Sequence, residues 1–486
     1  MFPRFCRAAA APLLLSLLLS LSVSTPRAAP AALPPTVAAA LDRAKLPRDA
    51  MVMMVQEVGT GTPRLAWQVD RPVNPASLMK LLTTFASLDL LGPAWRWSTP
   101  VWLQGTLRDG VLEGNLVIKG SGDPKLVIER VWLLLRRVQQ LGVREIRGDI
   151  VLDRSGFAEP EASAFDFDGE GLRPYNVRAD ALMLNYKALA FTFTPDPARG
   201  VATISTDPPL AGVGVDASVP LAGGSCNDWR GALRADFADP LRLRFAGNYP
   251  AACGEKVWPV AYADAKRYNE RAIAGMWLDM GGRLSGSVHD GVAPATTPPT
   301  FTLSSPTLAD VIRDMNKYSN NVMAQQLFLT LALTQRGSGT PEAARDLLRQ
   351  WAGDRLGPTA AAGLVIDNGS RLSREGRVSA RLLAQLLLAA WASPVMPELM
   401  SSLPVSGVDG TLQQSRATLG RAHLKTGSLR DVAGVAGYVL AYSGRRYVVV
   451  AIANHANANA AGPVFDALVQ WTANDSGPVA IEPTQN

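Results

Sequence analysis

Apolar and polar residues alternate with the periods of strands and helices in two widely separated parts of the chain. Apolar runs typical of strands cover residues 51–58, 64–69, 435–442 and 445–453. Helical patterns of period 3.6 cover residues 77–91, 307–334, 341–351, 379–391 and 462–472. Because neither part has enough strands and helices for a complete core, we expect one α/β domain formed by residues 33–96 together with 300–478.

The segment between these two parts has a different character. Strand-like runs and turn residues predominate from about residue 97, with one helical pattern over 128–141 and a strand pattern over 145–153. We therefore expect a β-rich insertion of one or two small domains. The proposed division is an insertion domain II of residues 97–180 plus 270–299, and an insertion domain III of residues 181–269. Residues 479–486 are expected to form a C-terminal tail.

The N-terminus has the pattern of a secretory signal peptide, which we assign to residues 1–32. Two arginines precede an apolar run of about 16 residues, and small residues follow the run. A run of this length is short for a bilayer span, which needs roughly 20 residues. We therefore expect cleavage and export to the periplasm, with a retained membrane anchor as the alternative.

The cysteine content agrees with an exported protein. Cys6 lies in the predicted signal peptide, so Cys226 and Cys253 remain in the mature chain. An oxidising compartment makes a Cys226–Cys253 disulfide the expected state, and two free thiols are the alternative. The three histidines do not lie near these cysteines at metal-ligand spacing, so no metal site is expected.

The charge of the chain excludes some classes of partner. The formal net charge is +6, and three of the arginines lie in or beside the predicted signal peptide, so the mature protein is mildly basic. There is no dense run of Lys and Arg with interleaved aromatic residues, so nucleic-acid binding is not indicated. A weak attraction to the anionic cell envelope, with peripheral membrane association, is compatible with this charge.

The first candidate for chemistry is Ser77-Leu78-Met79-Lys80, at the start of a predicted helix. A serine at this position has its hydroxyl near free backbone N–H groups and the positive end of the helix dipole. Lys80 lies one turn further on the same face, where a partly desolvated amine has a lowered pKa and accepts the serine proton. The alternative is a purely structural role, in which Ser77 only caps the helix.

The second candidate is Tyr318-Ser319-Asn320-Asn321, which interrupts a helical pattern. Ser319 and Asn321 are two residues apart and would point to different faces of one helix, so a loop or helix end must present both. Adjacent asparagines also lower helix propensity. The alternative is that these polar residues only cap or interrupt the helix.

The third candidate is Leu424-Lys425-Thr426-Gly427-Ser428, just before the predicted hairpin. Gly427 removes a side chain where the backbone needs to approach another group closely. Lys425 and Thr426 supply a cation and a hydroxyl, which suit a carboxylate ligand. Taken alone, the tripeptide is equally typical of a solvent-facing strand edge.

Together the three motifs are the motif set of penicillin-recognising serine enzymes, in the same order and context. About 240 residues separate Ser77 from Ser319, and a long insertion at this place resembles the class C low-molecular-mass penicillin-binding proteins, the D-Ala-D-Ala carboxypeptidase/endopeptidase family. Further local matches are Asn74-Pro75-Ala76-Ser77, Gly120-Ser121-Gly122-Asp123-Pro124, Arg173-Pro174-Tyr175-Asn176 and residues 403–412. One departure is Arg371, where the family usually has Gly.

The resemblance implies a fold and a mechanism. The fold is an α/β (α+β) transpeptidase-like domain, an antiparallel sheet flanked by helices, with a β-rich insertion. The reaction is cleavage of D-Ala-D-X bonds in peptidoglycan stem peptides through an acyl-enzyme, without metal or organic cofactor, and β-lactams inhibit by acylating the same serine. In this chain Ser77 would be the nucleophile and Lys80 the general base. Ser319 would relay a proton to the leaving amine, Lys425 would tune it, and Asn321 would bind the substrate amide.

The remaining site residues follow from the same resemblance. Thr426 and Ser428, beside Gly427, would bind the terminal carboxylate, and the N–H groups of Ser77 and Ser428 would form an oxyanion hole. In this family an acid of the insertion, near a tyrosine, contacts the free amine of the stem-peptide diamino acid. Asp168, near Tyr175, is the candidate for this contact. The alternative is that the acidic residues form a solvated loop. The acidic residues of this stretch are Glu159, Glu161, Asp166, Asp168 and Glu170.

Two other functions use the same motifs. A β-lactamase would need an efficient deacylating group such as a Glu-x-x-x-Asn loop between the second and third motifs. Glu342, Glu375 and Glu398 all lack an asparagine four residues later. A non-catalytic penicillin-binding sensor or scaffold is the other alternative, against which the three intact motifs argue.

Overall fold

The computed structural model describes residues 32–159 and 163–475. The predicted signal peptide up to residue 31, the acid Glu161 and the predicted tail 479–486 lie outside the described residues. Within the described part, no helix has both the length and the apolar character needed to cross a membrane.

The strands are, in chain order, β1 (Met51–Glu57), β2 (Pro63–Trp67), β3 (Ser98–Arg108), β4 (Val111–Lys119), β5 (Glu145–Ile146), β6 (Ile150–Asp153), β7 (Ala188–Asp196), β8 (Val201–Asp207), β9 (Gly214–Val215), β10 (Ser218–Ala222), β11 (Ala235–Asp236), β12 (Arg242–Phe245), β13 (Tyr249–Pro250), β14 (Lys256–Ala261), β15 (Arg283–Leu284), β16 (Val288–Asp290), β17 (Phe301–Ser304), β18 (Ala422–Leu429), β19 (Val432–Leu440) and β20 (Arg446–Asn454). The helices are α1 (Pro35–Arg43), α2 (Met79–Leu91), α3 (Ile128–Gln140), α4 (Trp229–Ala232), α5 (Tyr268–Asp279), α6 (Leu308–Lys317), α7 (Asn321–Arg336), α8 (Pro341–Leu356), α9 (Pro358–Ala361), α10 (Ala380–Trp391), α11 (Met396–Ser402) and α12 (Gly462–Ala473).

The two separated parts of the chain meet in one antiparallel sheet with the order β18-β19-β20-β1-β2. Helices cover both faces, so β1 is apolar throughout rather than alternating. Val52 and Met54 pack into the core with α2, α7 and α10. Met51, Met53 and Val55 point to the other face, into the core with α1 and α12. The predicted fold, an antiparallel sheet flanked by helices, is confirmed.

The insertion is β-rich, as expected. A seven-stranded sheet contains β3 to β6 with β15 to β17, a five-stranded sheet contains β7, β8, β10, β13 and β14, and a three-stranded sheet contains β9, β11 and β12. Strand β17, just past the predicted boundary at residue 300, pairs with β3 in the seven-stranded sheet. The division into insertion domains II and III stays a prediction, since one apolar cluster includes residues of both.

Aromatic rings fill the second part of the insertion. Phe193 stacks on Tyr249 at 5.5 Å and meets Phe245 edge to face at 5.2 Å, geometries that stabilise beyond simple burial. Cys226 and Cys253 form a disulfide next to this cluster. The bond ties the loop before α4 to the turn that precedes β14.

A buried polar network joins the insertion to α7. The Asp180 carboxylate pairs with Arg154 and Lys187, each at 2.6 Å. Burial opposes its ionisation, but the charges of Lys187 and Arg154 hold the pKa of Asp180 below its usual value. Gln326 of α7 accepts from the Asp180 N–H at 2.8 Å and donates to its carbonyl at 2.9 Å. Since a buried charge pair is costly to break, this network fixes the insertion against the helix that carries Asn321.

Candidate active site

Ser77 lies in a 3₁₀ turn, Ala76–Leu78, directly before α2. Its side chain does not cap the helix, so the capping alternative is wrong. The turn is sharp because Ala76 has a φ of 47°, in the left-handed region that alanine rarely adopts. Asn74 Oδ1 accepts from the Ala76 N–H at 2.9 Å and holds this conformation. The strained turn places the Ser77 hydroxyl at the head of α2.

Lys80 is the immediate partner of Ser77. Its Nζ donates to Ser77 Oγ at 2.9 Å and to Asn321 Oδ1 at 2.7 Å, and its side chain is fully buried. Burial first, and then the charges of Lys425 and Arg371, lower the pKa of Lys80 well below its usual value. A lysine in this state is available as a neutral base within reach of the serine proton.

Ser319 lies in the break between α6 and α7. Its φ of 55° turns the chain so that α6 ends at Lys317 and α7 starts at Asn321. Asn320 caps α7 by accepting from the Met323 N–H at 3.0 Å. On one continuous helix Ser319 and Asn321 would point to different faces. The break lets both side chains reach the site, as the sequence analysis predicted.

Lys425 approaches Ser319 from β18. Its Nζ donates to Ser319 Oγ at 2.9 Å and to the Thr426 carbonyl at 2.8 Å. Burial, with the nearby charge of Arg371, lowers the pKa of Lys425 to about 7. Two serine–lysine pairs, Ser77 with Lys80 and Ser319 with Lys425, therefore face each other across the head of α2.

Gly427 allows β18 to pass close to the turn that carries Ser77. A Cβ at this position would lie 2.8 Å from the Pro75 carbonyl oxygen and 3.2 Å from Leu78. Ser428, the next residue, is exposed. Because β18 is the edge strand of its sheet, the outer N–H and C=O groups of this stretch are open to a bound peptide.

Thr426 has a partner that the sequence did not indicate. Its Oγ1 lies 2.7 Å from Thr411 Oγ1. Thr411 belongs to residues 403–412, a stretch that resembles the family but for which the sequence indicates no role. Only the fold brings its 3₁₀ turn against β18.

The insertion also reaches the site. Asn321 Nδ2 donates to the Tyr175 carbonyl at 3.5 Å. The Tyr175 hydroxyl donates to Asp168 at 3.0 Å, and Asn176 Nδ2 donates to the same carboxylate at 2.7 Å. Burial opposes ionisation of Asp168, but the Glu170 N–H and these side chains lower its pKa. Asp168 is thus an exposed, ionised carboxylate that Tyr175 connects to Asn321.

Arg371 is the functional candidate to which sequence analysis gave no role. Its guanidinium lies 5.4 Å from the centre of the Tyr175 ring, a cation–π contact. Its buried Nε has no hydrogen-bond partner among the described residues. The sequence indicated that position 371 is unusual only through the arginine that stands where the family usually has glycine. Beside two lysines whose pKa values are lowered, Arg371 is the lasting positive charge of the site, which favours an anionic substrate.

A cavity of about 410 Å³ runs beside α7 behind this cluster. Glu159 and Asp166 line it together with Arg374, whereas Asp168 does not. Arg374 also lies 5.5 Å from the centre of the Phe167 ring. Among the described acids of the insertion, Glu159 and Asp166 are therefore alternatives to Asp168 for contact with a substrate side chain that enters the cavity.

Comparison with known proteins decides the family. The family described as D-Ala-D-Ala carboxypeptidase 3 (S13) matches residues 33–475 of the chain. The chain belongs to this family. It is a serine-type D-alanyl-D-alanine carboxypeptidase and a penicillin-binding protein, so the predicted family and enzyme class are confirmed.

Two relatives illustrate the similarity within the S13 family. A D-alanyl-D-alanine carboxypeptidase of Actinomadura sp. (strain R39) is 29% identical over 410 residues, which is 80% of this chain and 74% of that protein. The D-alanyl-D-alanine carboxypeptidase DacB of Haemophilus influenzae is 24% identical over 392 residues, 78% of this chain and 80% of its own.

Solved structures show that the fold is shared. Penicillin-binding protein 4 from Haemophilus influenzae superposes with a TM-score of 0.71 at 22% identity, covering 90% of this chain and 98% of that one. A predatory endopeptidase from Bdellovibrio bacteriovorus superposes with a TM-score of 0.53 at 17% identity, covering 90% and 95%.

Proposed function

We propose that this S13 enzyme hydrolyses D-Ala-D-X bonds of peptidoglycan stem peptides, as carboxypeptidase and endopeptidase, through an acyl-enzyme on Ser77. The observation that supports the assignment most directly is the 2.9 Å contact between Ser77 Oγ and the buried Lys80 Nζ. A nucleophile within hydrogen-bond reach of a base, with that base held by a third group, is the arrangement that activates serine hydroxyls. Asn321 is the third group here.

Acylation starts with proton transfer from Ser77 Oγ to the neutral Lys80 amine. The oxygen attacks the carbonyl carbon of the penultimate D-Ala, and the N–H groups of Ser77 and Ser428 stabilise the oxyanion, by about 3 kcal/mol for each donor in other acyl-transfer enzymes. The C–N bond breaks as Ser319 gives its proton to the leaving amine, and the proton that Lys80 took from Ser77 restores Ser319, so Lys80 is neutral again. The positive charge of Lys425 at 2.9 Å favours the ionised form of Ser319 during this transfer.

Deacylation returns the enzyme to its starting state. Neutral Lys80 takes a proton from a water that adds to the acyl carbon, the bond to Ser77 Oγ breaks, and Lys80 returns the proton to Ser77. The leaving D-residue carries a free carboxylate, for which Thr426 and Ser428 are the proposed partners. The positive charges of Arg371 and of protonated Lys425 support binding of this carboxylate.

Asp168 is proposed to bind the free amine of the stem-peptide diamino acid. Its carboxylate is exposed, ionised and held by Tyr175 and Asn176. We expect Asp168→Asn to raise KM about tenfold for peptides with a free side-chain amine, a loss typical of one charge-assisted contact. Peptides with an acetylated amine should show no such change. Equal KM values for Asp168→Asn and the wild type would assign the amine to Glu159 or Asp166 instead.

Turnover of defined muropeptides tests the function as a whole. Purified protein should release D-Ala from pentapeptides and open D-Ala-diamino-acid cross-links, with products separated by chromatography and identified by mass spectrometry. Penicillin labelling without either product would favour the scaffold alternative. Rapid release of hydrolysed penicillin would favour a β-lactamase.

Export to the periplasm and peripheral membrane association are part of the proposal. The disulfide and a cell-wall substrate support export. The outer face of α3 exposes Trp132 and Leu133 next to Arg136 and Arg137, a combination suited to an anionic membrane surface. Fractionation of cells into periplasm, membrane and cytoplasm tests both statements, and a cytoplasmic location would contradict them.

A further inference from the structure

A cavity of about 490 Å³ is lined by Tyr318 and Gly410, the residues that directly precede Ser319 and Thr411 in the chain. Two chain segments form its inner wall, Lys317-Tyr318 and Asp409-Gly410. Each segment continues directly into the site, the first into Ser319 and the second into Thr411, whose hydroxyl touches Thr426. The cavity therefore adjoins Ser319 and Thr426, the residues assigned to the leaving group, through their chain neighbours and contacts.

The wall of this cavity is preformed. Lys317 Nζ donates to the Leu403 carbonyl and pairs with the Asp409 carboxylate at 2.7 Å. Gly410 has a φ of 57°, and a Cβ there would lie 2.6 Å from the Lys317 carbonyl oxygen, so the two segments pack backbone to backbone. A ligand that enters the cavity meets a rigid surface, which reduces the entropy lost on binding.

The two sides of the site serve different halves of the substrate. In the proposed function Asn321, which contacts Tyr175, binds the acyl half, whereas Ser319 and Thr426 are the partners of the leaving amine and its carboxylate. A leaving D-Ala ends at Thr426. In a cross-linked dimer, by contrast, the leaving residue carries the whole second stem peptide, which needs room beyond Thr426.

We propose that this cavity is the binding site for the leaving strand of a cross-linked peptide, and that Arg313 and Tyr318 recognise that strand. The inference rests on the proposed function and assigns its endopeptidase activity to a defined surface. The ligand class is an anionic stem peptide, because such peptides carry free carboxylates besides the one at Thr426.

The charges of the cavity fit this ligand. Its other two cations are neutralised, Lys317 by Asp409 and Lys125 by Asp314, each pair at 2.7 Å. The guanidinium of Arg313 has no ion pair or hydrogen bond among the described residues, and Asp310 is occupied with capping α6 at Thr307. The lining therefore balances three cations against three carboxylates, and Arg313 is the cation whose guanidinium remains open to a carboxylate of the ligand.

Tyr318 supplies the apolar part of the surface. Its side chain is 73% exposed although it immediately precedes Ser319. An exposed aromatic ring at the edge of a cleft gives contact area with little loss of side-chain entropy. The ring is placed to pack against the alkyl chain of the leaving diamino acid.

The test compares two substrates, a pentapeptide and a purified cross-linked dimer. For Arg313→Gln and Tyr318→Ala we expect kcat/KM on the dimer to fall about tenfold, mainly through KM, since binding contacts outside the reacting bond are lost. Release of D-Ala from the pentapeptide should change less than about twofold. The loss in Arg313→Gln should shrink at high salt, as for other charge contacts at a rim.

Matched surface variants and penicillin labelling separate this proposal from the proposed function. Tyr442→Ala and Arg242→Gln change an exposed tyrosine and an exposed arginine elsewhere and should leave both activities unchanged. Equal losses on both substrates, no loss on either, or a wild type that cleaves only pentapeptides would overturn the leaving-strand site. A protein that labels at Ser77 but cleaves neither substrate would instead overturn the function itself.

Discussion

Replacement of Ser77 by alanine is expected to abolish covalent labelling by a fluorescent penicillin and all release of D-Ala. No second hydroxyl takes its place, because the left-handed turn at Ala76 presents only Ser77 to Lys80. Without the nucleophile the acyl-enzyme does not form, and a loss of at least 10³-fold follows, the residual rate coming from binding and the oxyanion hole alone. Gel fluorescence and peptide mapping by mass spectrometry give the measurement.

The matched control for this variant is Ser87→Ala. Ser87 is buried on the same helix, and its hydroxyl donates to the Thr83 carbonyl at 2.7 Å. Loss of that bond costs some stability, about 1 kcal/mol, but leaves the labelling chemistry intact. A penicillin adduct that persists in Ser77→Ala, or that maps to another residue of the wild type, would refute the assignment of the nucleophile.

Replacement of Lys80 by methionine is expected to slow acylation of Ser77 by about 10²–10⁴-fold, the usual contribution of a positioned general base. Methionine keeps most of the volume of the lysine stem but cannot accept the Ser77 proton. In the wild type the acylation rate should fall as the pH drops through the lowered pKa of Lys80, because protonation removes the base. In Lys80→Met this acid limb should disappear.

Lys266→Met, which changes an exposed lysine, serves as the control and should acylate like the wild type. Because Lys80→Met leaves Asn321 Oδ1 without its partner, thermal unfolding must be measured in parallel. A folded Lys80→Met protein that acylates within about threefold of the wild-type rate would show that another group takes the proton.

Much of the fold follows from local patterns in the sequence. The apolar run at 51–58 and the pattern at 77–91 became β1 and α2 within a few residues, because period and turn residues act locally. The boundary at residue 300 was harder to place. Strand β17 joins the insertion sheet through pairing with β3, about 200 residues earlier, and such pairing has no local signature.

The candidate site shows the same division between local and distant effects. Motif order and spacing were enough to select Ser77, Lys80, Ser319, Asn321 and Lys425. The pairing of Lys425 with Ser319 came from the family resemblance alone, since the two residues are more than 100 positions apart and no local pattern joins them. Arg371 and Thr411 gained roles only through contacts with Tyr175 and Thr426.

What the sequence determined by itself is the chemistry: a serine and a lysine one helical turn apart, a cation beside a hydroxyl and a glycine, and a long insertion that points to one peptidase family. The tertiary structure alone decided the geometry and the charge of the site. Burial of Lys80 and Lys425 next to Arg371 lowers the pKa of both lysines. Distance and desolvation are properties of packed elements, so no single stretch of the chain contains them.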